Sequence, residues 1–483
     1  MRIFLDTKDA VLHKELLDIC ALFFADIKKS EESEGDLVIN HQEWIEGDFR
    51  HCRITLSKAF EASFENKEKR GLSLLKDKRL WKRQTKQCLY QALKQATGNK
   101  PPWGSLTGIR PSRLVVEKME KGLSLSDALD AMTREFDISP MKAALLGEVI
   151  QNQQAIPPVG EMDVDVYIGI PFCPSRCRYC SFVSEVAGKG DKLIRYTKAL
   201  LREMEQTKAL MERLNLKVRS VYFGGGTPTV LEPRELEQVL KASESFIREA
   251  VETTVEAGRP DTVTKEKLQL LKAAGVERVS INPQTFHDRT LELIGRGHTC
   301  EQTLTAYELA QAFNFSSINM DVIAGLPGET PEDFRHTMRA IEDLSPQSLT
   351  VHTLSIKRSS DMHQWGDKLP SGAWVKEMVE DGYQTARKMG LVPYYLYRQK
   401  KQAGGCENVG YAQREKICIY NIDTMEDTAN IIAIGAGGIS KRVWKSRVYI
   451  ARAPNNKGFR DYVENVDEMV LRKEKLFTME RLV

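Results

Sequence analysis

The sequence predicts an α/β protein: a partial (β/α)6 parallel barrel, preceded by an amino-terminal α+β domain and followed by a carboxyl-terminal extension. Two observations predict the barrel. From Val164 onward, runs of β-branched and apolar residues alternate with helical patterns at the spacing of βα units, six times over. The cysteine, glycine and carboxylate motifs of that stretch fall where such runs end, and right-handed crossovers gather the carboxyl ends of parallel strands onto one rim. No repeat with a period of roughly 20 to 50 residues is evident, which argues against a solenoid.

The 483 residues are 41% hydrophobic, enough to fill the cores of about two or three domains. Lys and Arg number 70 against 67 Asp and Glu, so the net charge of +3 argues neither for nor against nucleic acid. No apolar run approaches the roughly 18 residues of a membrane span. The opening Met-Arg-Ile-Phe-Leu-Asp-Thr-Lys-Asp carries acid too early for a secretory signal, so the expected compartment is the cytoplasm. The cysteines agree with that placement. Cys173, Cys177 and Cys180 cluster, whereas Cys20, Cys52, Cys88, Cys300, Cys406 and Cys418 lack the spacing of a disulfide framework and read as small hydrophobes.

In chain order, residues 1–155 are expected to form the α+β domain. Strand-like runs cover Asp36 to Ile39 and Arg53 to Leu56, and helical patterns cover Lys78 to Thr97 and Leu123 to Phe136. The turn-rich Pro101-Pro102-Trp103-Gly104-Ser105-Leu106-Thr107-Gly108-Ile109-Arg110-Pro111 reads as a contact loop. The basic run Lys67 to Lys86, with Trp81 inside it, fits either a solvated helix face or a surface for RNA or an acidic partner. Gln151 to Met162, polar and proline-bearing, reads as a linker. The barrel is expected over 160–360, with strands at Val164 to Phe172, Val218 to Gly224, Thr253 to Ala257, Val276 to Ile281, Ile318 to Ala324 and Leu349 to Leu354. Residues 361–483 are left as a region that covers the substrate.

The first of those strands runs into Phe-Cys173-Pro-Ser-Arg-Cys177-Arg-Tyr-Cys180. This CxxxCxxC spacing brings three thiolates within reach of one inorganic cluster and supplies no fourth ligand, whereas a closed structural zinc site would need a further cysteine or histidine, and none lies in the loop. An iron without a protein ligand is open to substrate chemistry. After the second strand, Gly224-Gly225-Gly226-Thr227 lets the backbone approach a ligand closely. The third ends in Glu256-Ala-Gly-Arg-Pro, where a carboxylate at the rim can accept hydrogen bonds from a ribose or amino group. The fourth leads to Gln284 and then Ile294-Gly-Arg296-Gly-His298. In the fifth, Asp321 interrupts an apolar run, which costs free energy unless the carboxylate finds a partner such as a ribose hydroxyl or Arg296.

The cysteine run resembles the signature of the radical S-adenosylmethionine (SAM) superfamily. That resemblance implies a [4Fe-4S] cluster on Cys173, Cys177 and Cys180, with SAM completing the fourth iron. Residues 164–360 further resemble the oxygen-independent coproporphyrinogen III oxidase group, which also holds haem chaperones and a haem-opening methyltransferase. Ile431 to Ser440 does so more weakly. The whole chain, with its Trp-Gly-x-Leu-Thr-Gly-Ile-Arg-Pro stretch and Glu407-Asn-Val-Gly-Tyr411, is most similar to the bacterial HemZ subgroup. By that likeness Tyr167, Tyr179, Gly225, Gly226, Thr227, Glu256, Gln284, Arg296, Asp321, Ser355 and Ile439 match positions that touch SAM.

What the resemblance implies about chemistry is reductive cleavage of SAM by an electron from a flavodoxin or ferredoxin, giving a 5′-deoxyadenosyl radical. In the porphyrinogen reaction the radical takes hydrogen from a propionate β carbon. Loss of carbon dioxide and one electron leaves a vinyl group, and two rounds turn coproporphyrinogen III into protoporphyrinogen IX. Arg110, Arg398, Lys400 and Lys401 are candidate propionate partners, with plain surface charge as the alternative. The chain departs from the decarboxylating enzymes at Phe182, where they carry a further cysteine and the haem chaperones do not, and in the long domain before the barrel. Alternatives are therefore a haem-trafficking chaperone, a radical methyltransferase or ring-opening enzyme acting on haem, and an RNA-modifying enzyme that draws only on the basic run. No membrane partner is expected, and nucleic acid is not favoured.

Overall fold

The computed structural model describes the chain except residues 25–26, 32–34, 72–73, 109, 183, 189–190, 358–359, 363–368, 400–401, 445–448 and 480–483, together with the side chains of 75, 76 and 403. It divides into two compact units, Met1–Gly147 with Arg398–Lys401, and Glu148–Tyr397 with Gln402–Val483.

In the first unit, β1 (Arg2–Asp6), β2 (Lys28–Ser30), β3 (Leu37–Glu46), β4 (Phe49–Lys58) and β5 (Ala62–Lys69) form a sheet in the order β2-β1-β3-β4-β5. Side chains alternate across a strand, so β4 turns Cys52, Ile54 and Leu56 inward, onto the helices Leu12–Cys20 and Leu74–Thr97. The basic run is engaged within this unit: Arg83 pairs with Glu68 and Glu135, Lys82 and Lys86 with Glu15, and the Trp81 indole donates to Glu43. The expected contact loop is an internal one. Trp103 is buried, with the Arg398 guanidinium 5.3 Å above its ring, because a large ring gains more from burial than from solvent. Arg398 is itself buried and donates to the Leu106 carbonyl, which ties it to this loop instead of leaving it for a propionate. Lys400 and Lys401 lie outside the described residues.

The second unit contains β6 (Asp163–Ile170), β7 (Phe172–Cys173), β8 (Glu185–Val186), β9 (Lys217–Gly225), β10 (Glu252–Glu256), β11 (Arg278–Ser280), β12 (Ser317–Ala324) and β13 (Ser348–Thr353). It continues with β14 (Val392–Tyr397), β15 (Asn408–Ala412), β16 (Asn430–Ile434), β17 (Ile439–Val443) and β18 (Ile450–Pro454). Eleven of these strands make one sheet, ordered β14-β15-β13-β12-β11-β10-β9-β6-β16-β17-β18. The six expected strands are its parallel centre, from β6 to β13. Crossover helices join them, two of which, Cys300–Ala312 and Pro331–Leu344, start on capping boxes that satisfy their free amides. The first strand is shorter than expected because Pro171 has no N–H to give the ladder. Phe172 and Cys173 pair with β8 instead.

Residues beyond 361 add to the same sheet. β16 is a seventh parallel strand beside β6, while β15 attaches antiparallel to β13 and β14 antiparallel to β15. The carboxyl-terminal helix Val466–Thr478 is held through a buried polar knot. Lys473, Tyr462, Asn455 and the Gly435 N–H all donate to the Glu203 carboxylate, and both Lys473 and Glu203 are fully buried. Among the described residues no helix is long and apolar enough to cross a membrane.

Candidate cofactor site

The cysteine loop is pinned by backbone on three sides. The N–H groups of Gly226 and Thr227 donate to Ile170 and Phe172 at 2.9 and 2.7 Å, Ala187 donates to Cys173 O at 2.9 Å, and Arg178 donates to Ile294 O at 2.9 Å. Only glycine fits at position 226, since a Cβ there would stand 2.5 Å from the Phe172 carbonyl oxygen. Gly225, at φ +112°, makes the turn that L side chains resist. The Thr227 hydroxyl reaches Cys173 Sγ at 3.5 Å.

Around the loop the charge is positive. Arg296 Nη2 donates to the Gly258 and Asn282 carbonyls at 2.6 Å each, while its Nη1 lies 3.1 Å from the Tyr179 hydroxyl and 3.9 Å from Cys177 Sγ. Arg259 Nη1 stands 4.0 Å from the same sulfur. Burial pushes the Cys173 and Cys180 thiols up, against the Thr227 hydroxyl at the first and the Phe182 N–H at the second. Cationic neighbours favour the thiolate that a metal needs. Burial, reinforced by Arg296 and Arg259, brings His298 down to about 3, so it is neutral. Among the described residues no three Cys, His, Asp or Glu side chains gather closely enough for one metal ion.

The inner face of the strands is polar and aromatic. Tyr222 donates to Glu256 at 2.6 Å and stacks on Tyr420 at 4.2 Å, with Tyr167 about parallel at 6.5 Å from Tyr222. Burial lifts Glu256 to about 7, and the Gly225 N–H and Tyr222 hydroxyl oppose the rise. Asp321 is held below its usual value despite its burial, by His352 at 3.6 Å and by Asn319 at 2.8 Å. The Thr350 hydroxyl is a further partner of the carboxylate, and Arg296 is committed elsewhere. Gln284 adopts φ +68°, a conformation rare outside glycine, while its N–H bonds Asp321 O at 2.9 Å and its carbonyl accepts from Ile323 at 3.0 Å. Its buried Oε1 has no hydrogen-bond partner among the described residues, which leaves an acceptor for a ligand to satisfy.

The structure thus joins Cys173 to Thr227, Cys177 to Tyr179 and Arg296, Tyr167 to Glu256 through Tyr222, and Gln284 to Asp321. Ser355 follows β13 and bridges to Gln402. Ile439 opens β17, two strands out from β6 on the side away from β9, and is half exposed. Arg259, Tyr222 and His352 belong to this region and were not singled out from sequence. Arg259 and Tyr222 carried a signal nonetheless, as polar groups in the strand-end segments Val221 to Gly226 and Glu256 to Pro260. The orphaned Gln284 oxygen, the close backbone approach at Gly226 and the cationic thiolate setting fit a cluster with an attached, hydrogen-bonding cofactor.

Residues 167–341 match the Radical SAM superfamily. The chain is 36% identical to the oxygen-independent coproporphyrinogen-III oxidase-like protein HemZ of Bacillus subtilis, over 97% of each chain. It is 35% identical to the heme chaperone HemW of the same bacterium, over 48% of this chain and 62% of that one. It is 25% identical to the oxygen-independent coproporphyrinogen III oxidase of Pseudomonas aeruginosa, over 64% and 71%. Among solved structures, coproporphyrinogen III oxidase (HemN) from Escherichia coli, a radical SAM enzyme, shares the fold with a TM-score of 0.52, at 23% identity over 69% of this chain and 74% of that one. The chain belongs to the HemZ/HemN-like group of the radical SAM superfamily, whose cofactors are a [4Fe-4S] cluster and SAM.

Proposed function

We propose that this protein is a radical SAM oxidoreductase that decarboxylates coproporphyrinogen III to protoporphyrinogen IX without oxygen. The observation that carries the reading is that likeness to a coproporphyrinogen-III oxidase-like relative runs through 97% of both chains, well beyond the cofactor segment. In this reading Cys173, Cys177 and Cys180 hold three irons of the cluster. The Gly225 and Gly226 backbone, Thr227, Tyr167, Tyr179, Glu256, Gln284, Arg296, Asp321, Ser355 and Ile439 surround SAM. When bound, the reduced cluster and SAM supply a carbon radical that removes hydrogen from the substrate. The chain's own part is orientation and water exclusion. Glu256, Gln284 and Asp321 offer acceptors to ribose and amino groups, and Arg296 fixes Tyr179 beside Cys177. In each round a propionate side chain gives one hydrogen atom to the radical and one further electron to an external one-electron acceptor, and releases carbon dioxide as the vinyl group forms. The first electron comes from a flavodoxin or ferredoxin.

A second reading, a haem-binding chaperone, draws on Phe182. Its ring is 71% exposed where the decarboxylating enzymes carry a cysteine, and the relative named HemW is a heme chaperone. One anaerobic assay separates the two. Reconstituted protein is given SAM, a reductant and coproporphyrinogen III, and the products are followed by mass. The oxidase reading expects 5′-deoxyadenosine together with loss of two carboxyl groups, whereas stoichiometric haem binding without product refutes it and supports the chaperone.

A further inference from the structure

Arg259 is one of the most deeply buried charges in the molecule, 2% exposed. Burying a guanidinium costs several kcal/mol unless the charge is paired and its donors are used. Half of that requirement is met by Asp261, which accepts from Nε and Nη2 at 2.9 Å each, in the parallel two-point geometry that fixes the plane of the group. The remaining nitrogen, Nη1, is turned to the cysteine loop, 3.1 Å from Ser175 Oγ and 4.0 Å from Cys177 Sγ. Gly297 clears the way, since a Cβ there would stand 3.1 Å from Nη2. Arg296 approaches the same sulfur at 3.9 Å. The three cysteines differ in what reaches their sulfur: Cys173 has the Thr227 and Ser184 hydroxyls and Cys180 the Phe182 N–H, whereas Cys177 has two guanidinium groups within 4.0 Å, whose charge is felt more weakly at the other two.

Resting on the assignment of these cysteines to the cluster, we infer that Arg259, held in place by Asp261, is a positioning residue that donates to Cys177 Sγ and raises the reduction potential of the cluster. Hydrogen bonds to the sulfurs and the net charge around a cluster are among the factors that set its potential, and a fixed cation favours the form carrying one more electron. A group that receives its electron from a low-potential carrier becomes easier to reduce in this way. Asp261 aims the guanidinium but offsets its charge, and Asn in its place keeps an acceptor for the group while removing the negative charge.

The test is a redox titration of the anaerobically reconstituted full chain, without SAM, in which the signal of the reduced cluster is followed by electron paramagnetic resonance (EPR) and iron content is measured alongside. The midpoint potential is expected to fall in Arg259→Met, to rise in Asp261→Asn, and to lie between Arg259→Met and the parent protein in Arg259→Lys. Opposite shifts at wild-type iron content are what a merely structural role does not produce. Potentials that stay at the parent value, or that move in the same direction in the Arg259→Met and Asp261→Asn variants, overturn the inference. If Arg259→Met fails to take up iron, Asp261→Asn decides, and a potential that does not rise there is contrary. A Cys177→Ser variant that keeps its cluster refutes the cysteine assignment and this inference with it. Loss of the cluster in that variant, with unmoved potentials in the others, refutes this inference alone.

Discussion

Glu256 concentrates the electrostatics of the inner face in one group. Its carboxyl is raised from 4.5 to about 7, chiefly by burial. Between those values the folded chain keeps a proton that the unfolded chain has released, so the contribution of Glu256 to stability declines as pH rises through this window and stays at its lowest above it. Replacing it by Gln, which keeps the shape of the neutral acid and still accepts from Tyr222, is expected to raise the thermal midpoint of the cofactor-free protein at pH 8 and to do much less at pH 5. An equal effect at both values, measured by scanning calorimetry, contradicts this. Site residues were visible in the sequence where their type was unusual for its place. Asp321 inside an apolar strand and three cysteines in eight residues stand out against any background. Tyr222 and Arg259 carry a weaker signal, because an aromatic residue in a strand is what a core also uses and an arginine just past a strand is what a surface also uses. Which sulfur an arginine faces depends on its side-chain path, which no spacing encodes.

At the scale of elements, the six central strands were legible because a buried parallel strand is a short apolar run with a helix after it. The strands β14 to β18 were not, because their pairing partners lie far off in sequence: β16 joins β6 across more than two hundred residues, and nothing local marks that ladder. The Glu203 knot shows what makes the late elements part of the sheet. It links the helix Lys192–Arg213 to the Gly435 turn and the last helix, and a Cβ at Gly435 would lie 2.3 Å from the Gly169 oxygen at the end of β6. Lys473→Met leaves a carboxylate buried without its cation, a loss expected to cost about 3–5 kcal/mol in unfolding free energy. Glu203→Gln combined with Lys473→Met removes both charges and is expected to recover most of it. Denaturant titration of the two variants checks this, and a double variant no more stable than Lys473→Met contradicts it.

At the scale of the whole molecule, the fold class was predicted from period and spacing, and the membership of the radical SAM superfamily follows from comparisons that agree with it. The substrate depends on more than the cofactor core. The basic run around Trp81, which left a nucleic-acid role open in the sequence, has Arg83, Lys82 and Lys86 paired with acids of its own unit. Tetrapyrrole chemistry is the reading that the full-length likeness supports. Everything in it depends on three thiolates holding a cluster whose remaining iron is left for SAM. The most direct measurement is the EPR spectrum of the dithionite-reduced, reconstituted protein, recorded with and without SAM, beside that of Cys177→Ser. The account predicts the signal of one [4Fe-4S] cluster, changed in shape when SAM is added and absent from the variant; a signal that ignores SAM, or that survives the loss of Cys177, contradicts it.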